Sequence, residues 1–187
     1  MKLIYKGKFD GNPDSIPHGE HKPNAVKFKE PEDSKKLGLI ANSIALVIMI
    51  VAAAGIIIRG GFKSISILGM VLSNLTLFPH EIIHALCFKN EVYLYTDLKN
   101  GILFVTGPED MSKARFVFMS LLPNIVFGFV PYILFMINPQ LKLLGTMGAM
   151  CISMGAGDYL NVYNALTQMP KGARTYLHGF NSWWYMP

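Results

Sequence analysis

The stretch LGLIANSIALVIMIVAAAGIII, residues 37–58, contains no charged side chain and lies between Lys36 and Arg59. At a rise of about 1.5 Å per residue, a helix of this length crosses the roughly 30 Å of hydrocarbon in a bilayer. Long apolar runs recur along the chain, which is 51% hydrophobic and only 16% charged. This composition departs from that of soluble domains and predicts membrane spans.

Three further runs are long enough to span a bilayer, so the sequence predicts four transmembrane helices at 37–58, 65 to about 88, 114–137 and 143–166. The predicted fold class is an all-α polytopic membrane protein with a short cytoplasmic β-hairpin between helices two and three. Three regions follow from these spans: a basic cytoplasmic or interfacial tail at 1–36, a four-span membrane domain at 37–166, and an aromatic cytoplasmic tail at 167–187.

The segment 91–106 carries the hairpin signal, because β-branched and aromatic residues flank Lys99-Asn100-Gly101. Asn-Gly supplies the positive φ angles of a tight turn. The hairpin directly follows the second span, so its edge is placed to pair with an extended peptide substrate. A hairpin with no part in binding is the alternative.

The distribution of lysine and arginine predicts the orientation of the chain, since these residues resist translocation across the membrane. With a cytoplasmic N-terminus, fourteen of the seventeen lie on the cytoplasmic side. The expected location is therefore the cell (inner) membrane, as a multi-pass protein with both termini cytoplasmic and the lipid bilayer around it. The charges flank apolar spans and do not cluster with aromatic residues, which argues against a nucleic-acid partner.

The most specific chemical signal is His80-Glu81-Ile82-Ile83-His84, at the cytoplasmic end of the second predicted span. Residues four apart share one face of a helix, so two imidazoles can bind one Zn²⁺ while Glu81 reaches a water on the metal. Zinc lowers the pKa of such a water to about 7, and the carboxylate then accepts its proton during attack on a carbonyl. The alternative is a polar cluster that joins helices without a metal.

A catalytic zinc needs a third protein ligand, and Asp158 is the sole acidic residue within predicted spans one, three and four. His80 and Asp158 are each the sixteenth residue of spans that run in the same direction. The two side chains should therefore lie at one depth, which makes His80, His84 and Asp158 the predicted zinc ligands.

Two asparagines are candidates for supporting roles. Asn124, after Pro123 in the third span, either stabilises the oxyanion of a tetrahedral intermediate or makes a hydrogen bond between helices. Asn161, three residues after Asp158, either orients that ligand or takes part in helix packing.

The motif at a span end, the hairpin that follows, Pro123-Asn124 and the late Gly157-Asp158 together resemble the small bacterial integral-membrane proteins of the zincin peptidase family. These are in turn similar to the site-2 protease type of intramembrane metalloprotease. The resemblance covers roughly residues 65–166 and implies zinc as cofactor, with His80, His84 and Asp158 as ligands and Glu81 as general base. The order Gly157-Asp158-Tyr159 departs from the site-2 pattern, in which an aspartate precedes a glycine.

The predicted function is thus a membrane-embedded zinc metalloprotease that cuts peptide or transmembrane-protein substrates, with Glu81 as the general base. A non-catalytic membrane scaffold or a metal-binding accessory protein is the alternative. Replacing Glu81 by glutamine separates the two, because only an enzyme would lose its function.

Overall fold

A computed structural model describes residues 1–12, 15–31, 34–97, 102–179 and 181–187. The chain divides into two compact units. The sheet unit comprises Met1–Glu30, Glu81–Ser120 and Asn161–Pro187, and the helical unit comprises Pro31–His80 and Leu121–Leu160.

In the described residues, strands occur at both ends and in the middle, with a run of helices in each of the two intervals between them. The helices are α1 (Ser34–Gly60), α2 (Ile67–Leu75), α3 (Leu77–Leu86), α4 (Lys113–Asn124), α5 (Val130–Ile137), α6 (Lys142–Met154) and α7 (Ala156–Gln168). A 3₁₀ turn (Phe62–Ser64) precedes α2, and a π-helical segment (Ile125–Phe129) joins α4 to α5. The strands are β1 (Lys2–Lys8), β2 (Val26–Lys27), β3 (Glu91–Asp97), β4 (Ile102–Thr106), β5 (Met111–Ser112), β6 (Arg174–His178) and β7 (Asn181–Tyr185).

The sheet unit contains two sheets, with strand orders β1-β3-β4 and β2-β7-β6-β5. β1 runs parallel to β3, with Lys2 opposite Glu91, and β4 runs antiparallel to β3, so β4 lies at an edge. Aromatic and aliphatic side chains from α3, α4, α7 and the strands form the main core of this unit. They include Phe28, Ala85, Phe88, Val92, Met111, Phe116, Met119, Ala165 and Met169.

In the helical unit, α6 packs against α1, α2 and α5. The fully buried Phe135 lies in a cluster with Ala52, Ile56 and Ala149. Gly148 allows α6 to approach α5 closely, since a Cβ at this position would lie 2.6 Å from the backbone nitrogen of Tyr132. Small residues therefore set the packing distance between these helices.

The prediction of an all-α fold is wrong, because the described residues form a mixed α/β structure with two sheets. Two strands of the terminal regions pair with strands far away in sequence, whereas β6 and β7 pair with each other. β1 pairs with β3 across the whole first helical region, and β2 pairs with β7 near the other end of the chain. Such pairing leaves little local periodicity, so composition alone marked these regions as tails.

The prediction of four spans also fails in detail. Within the described part of the chain, two helical stretches, Lys35–Gly60 and Lys113–Ile137, are long and apolar enough to cross a membrane. Phe62–Leu75 with Leu77–Leu86 gives a third only as a pair bent by 45°. The predicted fourth span is divided at Gly155 into α6 and α7, of 13 residues each. A hydropathy average over about 20 residues passes over such a break, because the apolar residues continue across it.

The antiparallel pair β3 and β4 occupies the flanks of the predicted hairpin. The predicted turn residues Lys99, Asn100 and Gly101 lie outside the described residues. This pair belongs to a larger sheet, since β1 covers the other edge of β3.

Candidate metal centre

Helix α3 carries the HExxH residues and begins just after a break in the helical path at Thr76. Thr76 Oγ1 donates a hydrogen bond to the carbonyl of Ser73 (2.6 Å), which closes the end of α2. Pro79 is the third residue of α3, where a missing N–H costs little because the first N–H groups of a helix have no acceptor within it. The proline therefore allows a new helix to begin here, with His80 in its first turn.

His80, Glu81 and His84 each offer a ligand atom on α3, and these three atoms lie within 4.8 Å of one another. Among the described residues, no other group of three or more histidine, cysteine or acidic side chains meets this spacing. Their separation follows from the helix, which brings residues four apart onto one face. The helix alone therefore gathers the donors that the motif predicted.

A backbone carbonyl fixes the ring of His84. Its Nδ1 lies 3.0 Å from the carbonyl oxygen of Met119 in α4, and the side chain is buried. A carbonyl only accepts, so Nδ1 carries the proton and donates it to this bond. The neutral ring then has an unprotonated Nε2, the form in which histidine binds zinc.

The carboxylate of Glu81 contacts the edge strand of the first sheet. Its Oε2 accepts a hydrogen bond of 3.0 Å from the backbone N–H of Val105 in β4. Glu81 is half-buried, so the bond forms in a partly desolvated setting and holds the side chain in one orientation. The strand therefore positions the predicted general base.

Asp158 contacts His80 within the helical unit. Its Oδ2 lies 3.2 Å from His80 Nε2, and the two side chains are only 15% and 18% exposed. Two ligands on a tetrahedral zinc, each about 2.0 to 2.1 Å from the metal, lie about 3.3 Å apart. The observed distance therefore suits two ligands of one zinc ion, although Asp158 lies outside the group of three on α3.

The division of the predicted fourth span at Gly155 places Asp158 in the first turn of α7. The N-terminus of a helix carries partial positive charge, which stabilises a carboxylate there. The break in the predicted span thus places the carboxylate of Asp158 near the positive end of a helix dipole.

Asn124 holds the same carboxylate from another side. Its Nδ2 donates a hydrogen bond of 2.7 Å to Asp158 Oδ2, and the residue is 1% exposed. A Cβ added at Gly155 would overlap Asn124 Oδ1, so the glycine provides the space that the amide occupies. Of the two predicted roles for Asn124, this contact matches a hydrogen bond between helices, and it is directed at a predicted ligand.

The π-helical segment begins directly after Asn124. Segments of this kind occur frequently at functional sites, because the wider turn redirects neighbouring side chains. Pro123 precedes it and removes one backbone donor from the helix.

Three features of the site were not predicted from the sequence. They are the carbonyl of Met119, the N–H of Val105 and the space beside Gly155 that the Asn124 amide occupies. Two of them are backbone groups, which carry no side-chain signal. Gly155 lies within the predicted fourth span, and only the fold shows that Asn124 is its neighbour. Asn161 is half-buried and lies one turn beyond Asp158 on α7.

The donor set suits zinc. The group on α3 supplies two imidazoles and one carboxylate, which are residue types of a common ligand set for a catalytic zinc. The bonds from His84 to Met119 and from Asn124 to Asp158 match the outer partners that orient metal ligands. The residues present therefore fit this metal.

Comparison with known families gives one match. The family model described as "Putative zincin peptidase" matches residues 73–174, which contain α3, the edge strand β4, Asn124 and Asp158. Comparisons with curated proteins and with solved structures gave no match.

Proposed function

The chain belongs to this zincin peptidase family, and on that premise we propose that it is a zinc metallopeptidase that hydrolyses peptide bonds at the cell membrane. The observation that carries the proposal is the hydrogen bond from His84 Nδ1 to the carbonyl of Met119. This bond leaves Nε2 unprotonated, which is what a zinc ligand that binds through Nε2 requires.

In the proposed mechanism His80, His84 and Asp158 hold the metal. Bound zinc supplies a Lewis acid that polarises a carbonyl and lowers the pKa of a water. Asn124 keeps Asp158 turned toward His80, and the Met119 carbonyl keeps His84 in its binding tautomer.

Glu81 acts as the general base in this mechanism. It accepts a proton during attack on the scissile carbonyl and returns it to the leaving amine. The N–H of Val105 restricts the rotation of the carboxylate, so the base is oriented before the substrate arrives.

The edge strand β4 supports a peptide as the substrate. The N–H of Val105 points away from β3, because it donates to Glu81. Backbone groups of alternate residues point to the same side of a strand, so the N–H and C=O of Leu103 also face outward. An extended peptide that pairs with this edge runs past the general base.

The exposed side chains of α1 support a location in the membrane. Leu46, Val47, Ile50 and Val51 are each at least 60% exposed. A soluble surface seldom carries a contiguous apolar patch of this kind, whereas a lipid-facing helix requires one. We place both termini in the cytoplasm, because most lysines and arginines lie with them.

A comparison of wild-type protein with the Glu81→Gln variant tests the activity. Both proteins, purified in detergent and loaded with zinc, are incubated with a library of protein-derived peptides, and new termini are identified by mass spectrometry. We expect cleavage by the wild type and a loss of about a thousandfold or more in the variant, since a general base contributes about 10² to 10⁴.

Glu91→Gln is the matched control, because Glu91 is an exposed glutamate paired with Lys2 on the surface. It should cleave as the wild type does. Equal cleavage by wild type and Glu81→Gln, or zinc binding without any cleavage, would contradict the proposed peptidase.

A further inference from the structure

A groove of about 460 Å³ crosses the helical unit. One wall is a single face of α1, which includes Asn42 and Ala45, and the other includes Leu77 of α3 with Ser153, Ala156 and Gly157 at the α6–α7 break. This volume falls in the range of small-molecule and peptide side-chain sites.

Two residues that line the groove are close in sequence to candidate metal ligands. Leu77 is three residues before His80 on α3, and Gly157 directly precedes Asp158 on α7. A Cβ added at Gly157 would have no atom within 4 Å, so the groove is open at this point. The lining of the groove therefore includes residues close in sequence to His80 and Asp158.

Asn42 distinguishes the groove from an ordinary lipid-facing surface. It is an exposed amide in the charge-free stretch 37–58, and it makes no side-chain hydrogen bond to any residue that the structure describes. Its neighbour Ser43 behaves differently, because its hydroxyl donates to the carbonyl of Leu39 (2.8 Å). An amide in an apolar setting is costly unless it finds a partner.

An amide side chain offers both a donor and an acceptor, as a peptide group does. A lipid acyl chain offers neither, so it leaves Asn42 without a partner. Apolar walls with one amide, formed by residues that neighbour the candidate metal ligands in sequence, match a peptide backbone that carries apolar side chains.

We propose that this groove binds an apolar segment of the peptide substrate next to the scissile bond, with Asn42 hydrogen-bonded to its backbone. The inference rests on the proposed peptidase function and assigns its substrate class. The sequence predicts α1 only as a membrane span. The proposed role of Asn42 follows from the groove that it lines.

Site-specific photocrosslinking tests the groove without requiring turnover. The photoreactive residue p-benzoylphenylalanine replaces Ala45 in the Glu81→Gln protein, and the probe is a biotinylated alanine-leucine peptide flanked by lysines. Val47 is the matched control position, since it lies on α1, is 61% exposed and does not line the groove. We expect labelling at position 45 to exceed that at position 47 about tenfold and to be competed by unlabelled peptide.

Asn42→Leu provides the second measurement. Loss of one hydrogen bond to the peptide should weaken probe capture at position 45 about fivefold. Ser43→Ala, which removes a hydroxyl bonded within α1, should leave capture unchanged.

Three results would overturn the inference: equal labelling at both positions, a phospholipid adduct at position 45 that the peptide does not displace, or capture unaffected by Asn42→Leu. Because capture is measured in an inactive variant, failure of the groove is distinguishable from failure of the peptidase activity.

Discussion

At the scale of single residues, Asn124 orients the side chain of a predicted zinc ligand. It is almost fully buried, and its amide donates to the carboxylate of Asp158, which in turn contacts His80. Loss of a group that orients a metal ligand typically lowers metal affinity by about 10- to 100-fold. The asparagine is therefore a positioning residue, since it acts through Asp158.

We expect Asn124→Ala to lower zinc affinity by about 10- to 100-fold, because Asp158 loses the donor that fixes its orientation. Competition with a fluorescent zinc chelator measures the change. Asn74→Ala is the control, since Asn74 is an exposed helix residue whose amide bonds to the Met70 carbonyl. Unchanged zinc affinity in a folded Asn124→Ala protein would assign the asparagine to packing alone.

Gly155→Ala should weaken the site by a different route, since its Cβ would displace the Asn124 amide. We expect a loss of roughly 1 to 3 kcal/mol of stability, the usual cost of overpacking, together with weaker zinc binding. Thermal unfolding and chelator competition report the two effects.

The control for this prediction is Gly157→Ala, where the added Cβ meets nothing within 4 Å. Combining Gly155→Ala with Asn124→Ala removes the clash, so the two stability losses should not add. Strict additivity would show that the glycine and the asparagine do not interact.

The side chains of the candidate site could be predicted from the sequence, but their backbone partners could not. His80, Glu81 and His84 follow from helical spacing, and the level of Asp158 follows from counting along the predicted spans. Almost every residue has a backbone carbonyl and an N–H group. Only the fold shows that the carbonyl of Met119 and the N–H of Val105 reach the site.

At the scale of elements, Glu109 ties the connection after β4 to the segment that follows α3. Its carboxylate accepts the N–H groups of Lys89 (2.7 Å) and Asn90 (2.8 Å) and pairs with Arg115 of α4. The Glu109 side chain is only 6% exposed. Burial raises the pKa of Glu109, but the hydrogen bonds from Asn90, Arg115 and Lys89 lower it more, so the pKa lies below its usual 4.5.

This lowered pKa predicts the pH dependence of the sheet unit. A carboxyl group with a lower pKa in the folded state adds stability above its unfolded pKa, and that stability is lost as the pH falls through the folded value. We expect Glu109→Gln to cost roughly 3 to 5 kcal/mol near pH 7, because Arg115 loses its buried partner. The difference from wild type should shrink below about pH 4.5.

Urea unfolding followed by the fluorescence of Trp183 and Trp184 measures this change, since both tryptophans lie in β7 of the sheet unit. Glu91→Gln is the control, as Glu91 is 46% exposed beside Lys2 and should cost little. A Glu109→Gln penalty that stays constant from pH 7 to pH 3 would exclude ionised Glu109 as its source.

The elements themselves were predictable to different degrees. Helix α1 and the helical stretch Lys113–Ile137 contain long apolar runs, which hydropathy detects directly from the sequence. The breaks at Thr76 and Gly155 do not interrupt the apolar runs around them, so hydropathy predicts one span where the structure has two helices. Strands β1 and β2 depend on distant partners, so no local pattern specifies their pairing, whereas β6 and β7 form a local antiparallel pair.

At the scale of the whole molecule, we propose that the chain lies in the membrane with both termini cytoplasmic. Single cysteines at Lys63 and Lys171, in a chain with Cys87 and Cys151 replaced by serine, test this orientation. A membrane-impermeant maleimide should label position 63 in spheroplasts, since Lys63 lies at the predicted outer side, and position 171 only after lysis. Equal labelling of both positions in intact spheroplasts would contradict the orientation.

The central claim is that His80, His84 and Asp158 hold one zinc ion, and elemental analysis of the purified protein tests it most directly. The account predicts about one zinc per chain in the wild type and in Glu81→Gln, and loss of the metal in His84→Ala and Asp158→Ala. A wild-type protein that stays free of zinc after zinc is supplied, or an Asp158→Ala variant that binds it as well as the wild type, would contradict this assignment.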